Sequence, residues 1–73
     1  KLDGANLSGA YLQMANLADA DLTYAFLFDA DLTNANLTGA DFTDARVTDA
    51  DFTDTYWYQT IWTDGVAYDE NQA

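Results

Sequence analysis

Residues 5–54 read ANLSGAYLQMANLADADLTYAFLFDADLTNANLTGADFTDARVTDADFTD. Alanine stands at every fifth position from Ala5 to Ala50. Two residues after each alanine comes a large apolar residue: Leu7, Leu12, Leu17, Leu22, Leu27, Leu32, Leu37, Phe42, Val47 and Phe52. The residue between is Asn or Asp, except at Tyr11, Phe26 and Arg46. A period of five fits neither regular element, since helices repeat at 3.6 residues and strands at two. On a helix, steps of five drift by about 140° each and scatter the leucines over every face. On a flat strand, every second leucine would face water. The period makes sense only if the chain turns a corner once per repeat. Alanine and leucine, two apart, then point to the same inward side of a short extended segment. Turn-tolerant residues stand at the corners: Gly9, Asp19, Asp29, Asn34, Gly39, Asp44, Asp49 and Asp54.

Length and charge narrow the possibilities. The chain has 73 residues and a mass of 8.0 kDa, enough for one small domain. Lys1 and Arg46 face thirteen acidic residues, for a net charge of −11. Direct binding of nucleic acid needs positive charge to displace counterions, so nucleic acid is not an expected ligand. Without Cys or His, the chain offers no disulfide, no thiolate or imidazole metal site and no Ser-His-Asp catalysis. No apolar run reaches the roughly 20 residues of a membrane span. The residues are 49% hydrophobic and strictly periodic, which argues for a packed core rather than disorder.

With these repeats on view, the chain resembles the pentapeptide-repeat family, whose pattern is A(D/N)LXX. The resemblance covers residues 1 to about 64. It implies an all-β fold, a right-handed quadrilateral β-helix in which four repeats make one coil of 20 residues. About three coils are expected over residues 1–64, with a C-terminal cap and polar tail over 65–73. One coil cannot bury its apolar side alone, so neighbours must stack on it. At roughly 4.8 Å per layer, the stack is a short rod about 15 Å tall. The expected inward ladders are Leu7/Leu27/Val47, Leu12/Leu32/Phe52, Leu17/Leu37/Trp57 and Leu22/Phe42/Trp62. Thr55 and Thr60 stand where alanine is due, and Trp57 and Trp62 where leucine is due. These indoles, within the run YWYQTIW, read as an aromatic lid over the last coil. The N-terminal coil shows no comparable cap, so self-association through that end is an open expectation. The tail YDENQA reads as polar and loose.

Two surface features stand out. Asp29, Asp31, Asp49 and Asp51 come from two DAD triplets 20 residues apart. Stacked at one corner, they form a candidate cation site of oxygen ligands, against the simpler reading of a solvated acidic coat. Tyr24, Phe26 and Phe28 point outward, and Phe26 and Phe28 flank the inward Leu27 with Arg46 one coil above. An aromatic patch on a coat of Asp and Thr suggests a contact surface. Carboxylate pairs alone do not make an enzyme, because a filled shaft has no cleft to shift a pKa; no catalytic residue and no cofactor are expected. Asn6-Leu7-Ser8 and Asn36-Leu37-Thr38 match the glycosylation pattern, but the repeat generates them without further cause. The ladder Thr23/Thr43/Thr63 has flanks too irregular for an ice-binding face.

The leading expectation is therefore a non-enzymatic structural or interaction module, presenting its aromatic patch to a protein partner or larger assembly. The alternative comes from the resemblance: some acidic members mimic duplex DNA and bind type II topoisomerase. The resemblance also implies a cyanobacterial or chloroplast-like source, with an exported or thylakoid-lumenal location set against a cytoplasmic one.

Overall fold

In the computed structural model, which describes residues 1–73, the chain is a β-helix-like stack without any helix. Each corner is a four-residue turn. The alanine N–H donates to the carbonyl of the large apolar residue three positions earlier, at 2.8 to 3.1 Å from Ala5→Leu2 through Ala50→Val47. The third residue of each turn has positive φ: Gly9 (73°), Met14 (60°), Asp19 (61°), Tyr24 (60°), Asp29 (60°) and so on to Asp54 (58°) and Gln59 (49°). This is the requirement of a type II turn, met cheaply by Gly, Asn and Asp. Met14, Tyr24 and Gln59 meet it despite larger side chains, which the sequence pattern did not anticipate.

Successive coils are joined by parallel pairing at a separation of 20 residues. Asn6 bridges Phe26 and Phe26 bridges Arg46; Tyr11, Asp31 and Asp51 form the next column, Asn16, Asn36 and Tyr56 the third, and Asp21, Asp41 and Ile61 the fourth. Each side contributes three bonds, as when Leu7 N–H donates to the Phe26 carbonyl (2.7 Å), Gly9 N–H to Phe28 (2.8 Å) and Phe26 N–H to Ala5 (2.8 Å). Because pairing lasts for so few residues per side, only two regular strands exist, β1 (Thr60–Ile61) and β2 (Ala67–Tyr68), paired antiparallel.

The Asn and Asp of each repeat have a local task beyond solvation. Their side-chain oxygen accepts the N–H two residues on: Ser8 to Asn6, Ala18 to Asn16, Thr23 to Asp21, Thr33 to Asp31, Thr38 to Asn36, Thr43 to Asp41 and Thr53 to Asp51. Where Thr follows, its hydroxyl donates to the same oxygen. These Asx turns pin the chain as it enters each corner.

The core is the central shaft: Leu22, Leu27, Leu32, Leu37 and Phe42, interleaved with Ala25, Ala30, Ala35 and Ala40, are fully or almost fully buried, and Phe52 and Trp57 close its upper end. Leu7, Leu12, Leu17 and Val47, also expected in the core, are only half-buried and pack against its margin. Leu7, Leu12 and Leu17 lie in the first coil and Val47 in the last, so each has a covering layer on one side only. The stack measures 25 × 22 × 19 Å, a squat block rather than the expected rod.

At the C-terminal end the rings of Phe42, Phe52, Trp57 and Trp62 form a cluster with centroid separations of 5.1 to 5.7 Å. Phe52 meets Trp62 edge-on at 88°, a favourable aromatic geometry. Indoles bring an N–H that must be satisfied when buried. Thr55 answers this need: Trp57 Nε1–H donates to Thr55 Oγ1 at 2.7 Å, and that hydroxyl donates to the Phe52 carbonyl at 2.8 Å. Thr60, wholly buried, donates to the Leu37 carbonyl at 2.7 Å. The two threonines thus replace alanine where a hydroxyl has work.

The tail corrects the expectation of a loose end. Tyr68 Oη–H donates to Asp64 (2.7 Å), Asp69 accepts the Gln59 N–H (2.8 Å), and Asn71 Nδ2 donates to the Phe52 carbonyl (2.8 Å). The reason is backbone accounting: the last coil has no neighbour above it, and the tail supplies partners for some of its polar groups.

Two substitutions test this packing. Ala30→Leu should overpack the shaft and cost about 1–3 kcal/mol, read as a lower urea midpoint; wild-type stability would refute the inward placement. Thr55→Val should strand the Trp57 indole N–H and cost about 1–3 kcal/mol, with a red-shift of tryptophan emission if the indole swings out to water. An unchanged midpoint would show that the hydroxyl bridge contributes nothing.

Candidate functional site

One side of the middle coil carries the aromatic patch. Leu27 points into the shaft and is fully buried, so its neighbours Phe26 and Phe28 emerge on the same outer face. Their ring centroids are 6.2 Å apart with planes at 38°. They are 38% and 36% exposed, and Tyr24 at the preceding corner is 63% exposed. Arg46 lies one coil above Phe26 in the same column. Its Cζ sits 5.9 Å from the Phe26 ring centroid, within range of a cation–π contact. The patch is therefore an aromatic pair with a guanidinium laid against one ring.

Tyr24, Phe26 and Arg46 also line a shallow groove together with Gly4, Asp44, Ala45 and Thr63. Phe28 sits beside this groove rather than in its lining. The sequence reading missed Gly4, Asp44 and Thr63 as neighbours of the patch. The signal was present: Gly4, Tyr24 and Asp44 are 20 apart and occupy one corner column. The two-coil step from Thr23 to Thr63 is the same register.

A second aromatic doublet stands two sides away. Tyr56 and Tyr58 bracket Trp57 just as Phe26 and Phe28 bracket Leu27, and they are 64% and 57% exposed. Tyr11 and Met14 are more exposed still.

The acidic corner does not assemble. No group of three or more Asp or Glu is placed to hold a metal ion. Asp49 and Asp51 line a depression with Phe52, Asn71 and Ala73 beneath the tail, without Asp29 or Asp31. The side chains of Asp31 and Asp51 are turned into their own corners, accepting from Thr33 and Thr53, and Asp31 also accepts from Gln13 at 2.8 Å. Stacking in sequence register brings the backbones together; the Asx bonds then commit the carboxylates locally.

The same bonds shift acidities. The Thr53 hydroxyl, then its N–H, hold the Asp51 carboxyl below the ordinary carboxylate value. Thr23 acts likewise on Asp21. The Tyr68 hydroxyl, with the Val66 N–H, lowers Asp64, and the Tyr68 phenol is raised in return. These groups are turn and cap fasteners, not poised acids or bases.

The model of the family described as "Pentapeptide repeats" matches residues 1–39 and 15–54, with 8 copies. The chain belongs to the pentapeptide-repeat family. Such repeats imply a β-helix-like fold and typically serve as non-enzymatic protein-interaction modules. No curated protein matches the chain. No helix in this pentapeptide-repeat protein is long and apolar enough to cross a membrane.

The lowered acidities give a pH dependence. A carboxyl whose folded pKa lies below its unfolded value, about 3.9, stabilises fully above that value. Its contribution disappears as pH falls through the folded pKa. Asp51→Asn keeps an acceptor for Thr53, as Asn36 does natively for Thr38, but does not titrate. The variant should therefore lose less stability than wild type between pH 6 and pH 3, measured by urea midpoints. Equal losses would remove Asp51 from the acid response.

Proposed function

We propose that this pentapeptide-repeat chain is a docking module: a right-handed, four-sided coil of about three turns over residues 1–64, closed by the aromatic cap and tail of 65–73, that presents Tyr24, Phe26, Phe28 and Arg46 to a protein partner. The observation that carries the reading is the pair Phe26 and Phe28, set side by side with Arg46 against one ring on the outer face of the best-packed coil. Both stand in slots where the repeat ordinarily places a polar residue, so the fold does not need them there. Apolar rings kept partly in water across from buried leucines serve contact better than stability. Arg and aromatic residues are also the types that anchor protein interfaces. The acidic surroundings orient an approaching partner and raise its on-rate more than its affinity.

The charge of −11 also suits a duplex-DNA mimic acting on a type II topoisomerase. The 25 Å greatest extent spans only about seven base pairs at roughly 3.4 Å per step. Size thus favours the docking reading.

The test is the double variant Phe26→Ser, Phe28→Ser, compared with wild type and with Tyr56→Ser, Tyr58→Ser. Each is immobilised and exposed to an extract of the source organism. The Phe variant should melt within a few degrees of wild type and lose a partner that the other two retain. Equal retention by all three would reject the patch as the interface.

A further inference from the structure

The stack shows twice how the side that bears Phe26 is covered from above. On the first coil the Ala5 carbonyl accepts from Phe26 N–H (2.8 Å), while Leu7 and Gly9 N–H donate to the carbonyls of Phe26 (2.7 Å) and Phe28 (2.8 Å). On the second coil the Ala25 carbonyl accepts from Arg46 N–H (2.9 Å), while Leu27 and Asp29 N–H donate to Arg46 (2.8 Å) and Thr48 (3.2 Å). The equivalent groups of the third coil are the Ala45 carbonyl, Val47 N–H and Asp49 N–H, and none has a backbone partner. Val47, at the top of its inward ladder, is half-buried with no layer over it. The 20-residue register would lay residues 65–69 on this side. Gly65, at φ 79°, turns the chain away instead, and Ala67–Tyr68 pair back on Thr60–Ile61. The rest of the tail fastens elsewhere, with Asp69 on Gln59 N–H and Asn71 on the Phe52 carbonyl. The N–H groups of Phe52 and Trp57 are unpaired as well, but those residues are almost fully buried. The open edge is therefore the one over Arg46.

A row of unpaired N–H and C=O groups is a template for one more strand. The two coils below fix the form of that strand. Its first residue, opposite Arg46, turns both N–H and C=O downward, to Ala45 and Val47, as Arg46 does to Ala25 and Leu27. Its second residue points inward over Val47 and is apolar, as Leu27 is over Leu7. Its third residue turns a carbonyl to Asp49 N–H, as Thr48 does to Asp29. A second copy of this chain offers the same groups on its first coil, where Asn6 N–H and the Asn6 and Ser8 carbonyls are unpaired. A four-sided coil cannot settle here, because the tail reaches over the other three sides. A single extended segment can. Asp44 and Asp49 stand at the two corners of the edge, with Asp51 beyond. Arg46, the one guanidinium, is turned toward the Phe26 ring in the coil below. The edge therefore favours a segment with cationic flanks, and the net charge of −11 steers such a segment toward it. It also lies directly above the Phe26–Arg46 column, so a partner seated on the aromatic patch has the edge within reach.

Resting on the interface reading above, we infer that the upper edge of the last coil, at Ala45, Val47 and Asp49, takes an extended, basic-flanked segment of the partner protein as an added parallel strand. The segment accepts from Val47 and Asp49 N–H, donates to the Ala45 carbonyl and seats an aliphatic side chain on Val47. Three backbone bonds make a weak contact by themselves. Linked to the aromatic patch, they gain from effective concentration. The patch then holds the partner, and the edge reads its backbone.

The experiment uses the full chain, nitrogen-15 labelled, and a capped peptide of seven residues at physiological salt. The peptide places threonine-leucine-threonine between two pairs of lysines. Without it, Val47 and Asp49 N–H should exchange with deuterium at least tenfold faster than Leu27 and Asp29 N–H. Saturating peptide should slow exchange at Val47 and Asp49 at least tenfold. Methylating the nitrogen of the first threonine removes the donor to Ala45 and should weaken binding at least tenfold. Methylating the leucine nitrogen, which faces away from the edge, should leave binding within a few-fold. Replacing that leucine by serine should also weaken binding at least tenfold. Absence of binding at millimolar peptide, equal binding of the two methylated peptides, or slow exchange at Val47 and Asp49 in the free chain would each overturn the inference. Protection of these two amides that grows with protein concentration alone would give the edge to a second copy and overturn it as well. If the Phe26→Ser, Phe28→Ser variant loses its partner while the peptide leaves Val47 and Asp49 unprotected, the interface stands and the added strand falls.

Discussion

A left-handed residue at every fifth position is the constraint on which this molecule depends. It lets a turn close in four residues, with the alanine N–H returned to the carbonyl three positions back. Four such corners bring the chain over its starting point after 20 residues, so each side meets its counterpart in parallel register. Only Gly, Asn and Asp take this conformation at little cost, which explains much of the composition. The Asx bond entering each corner draws on the same residue types. Acidity therefore arises in large part as a by-product of turning corners, and a charge of −11 says less about partners than its size suggests.

The inward geometry follows from the corners. Alanine and leucine alternate along each short side because four sides of the coil share one narrow shaft, where close packing admits nothing larger beside leucine. That regularity cannot continue to the end of the stack, where a layer has no neighbour. The chain answers by enlarging the apolar residues to Phe52, Trp57 and Trp62 and by exchanging alanine for Thr55 and Thr60. The two changes are coupled chemically. A larger ring covers more of the open shaft, but an indole brings a donor, and Thr55 brings the acceptor for it.

The coil, its period and the inward column were legible because a period of five excludes both standard elements and ten copies repeat it. The aromatic patch was legible for the same reason, as a break in a regular pattern. What stayed hidden was whatever depends on side-chain direction at a single site. Asp31 and Asp51 were in register for a cation site, yet one oxygen of each is held in its own corner by Thr33 or Thr53. The tail looked polar and loose, yet Asp69 and Asn71 are polar because the last coil leaves backbone groups to satisfy. Asp44 and Gly4 escaped notice beside Phe26 because they lie close only through the 20-residue register, which is easier to apply to leucines than to corners.

Placement of the patch in the middle coil is itself informative. The end coils are half-buried at their margins, whereas the coil holding Leu22 to Ala40 is the most completely packed part of the chain. Phe26 and Phe28 stand on either side of Leu27, whose side chain is fully buried in the shaft. Tyr24 is held by a corner whose backbone bonds run to both neighbours. Side chains set on such a base lose little further freedom on contact, so less of the interaction is spent on ordering them. In the docking reading, the base beneath Phe26 and Phe28 is thus the best-packed coil of the stack, whereas Tyr11, Met14, Tyr56 and Tyr58 stand on the end coils.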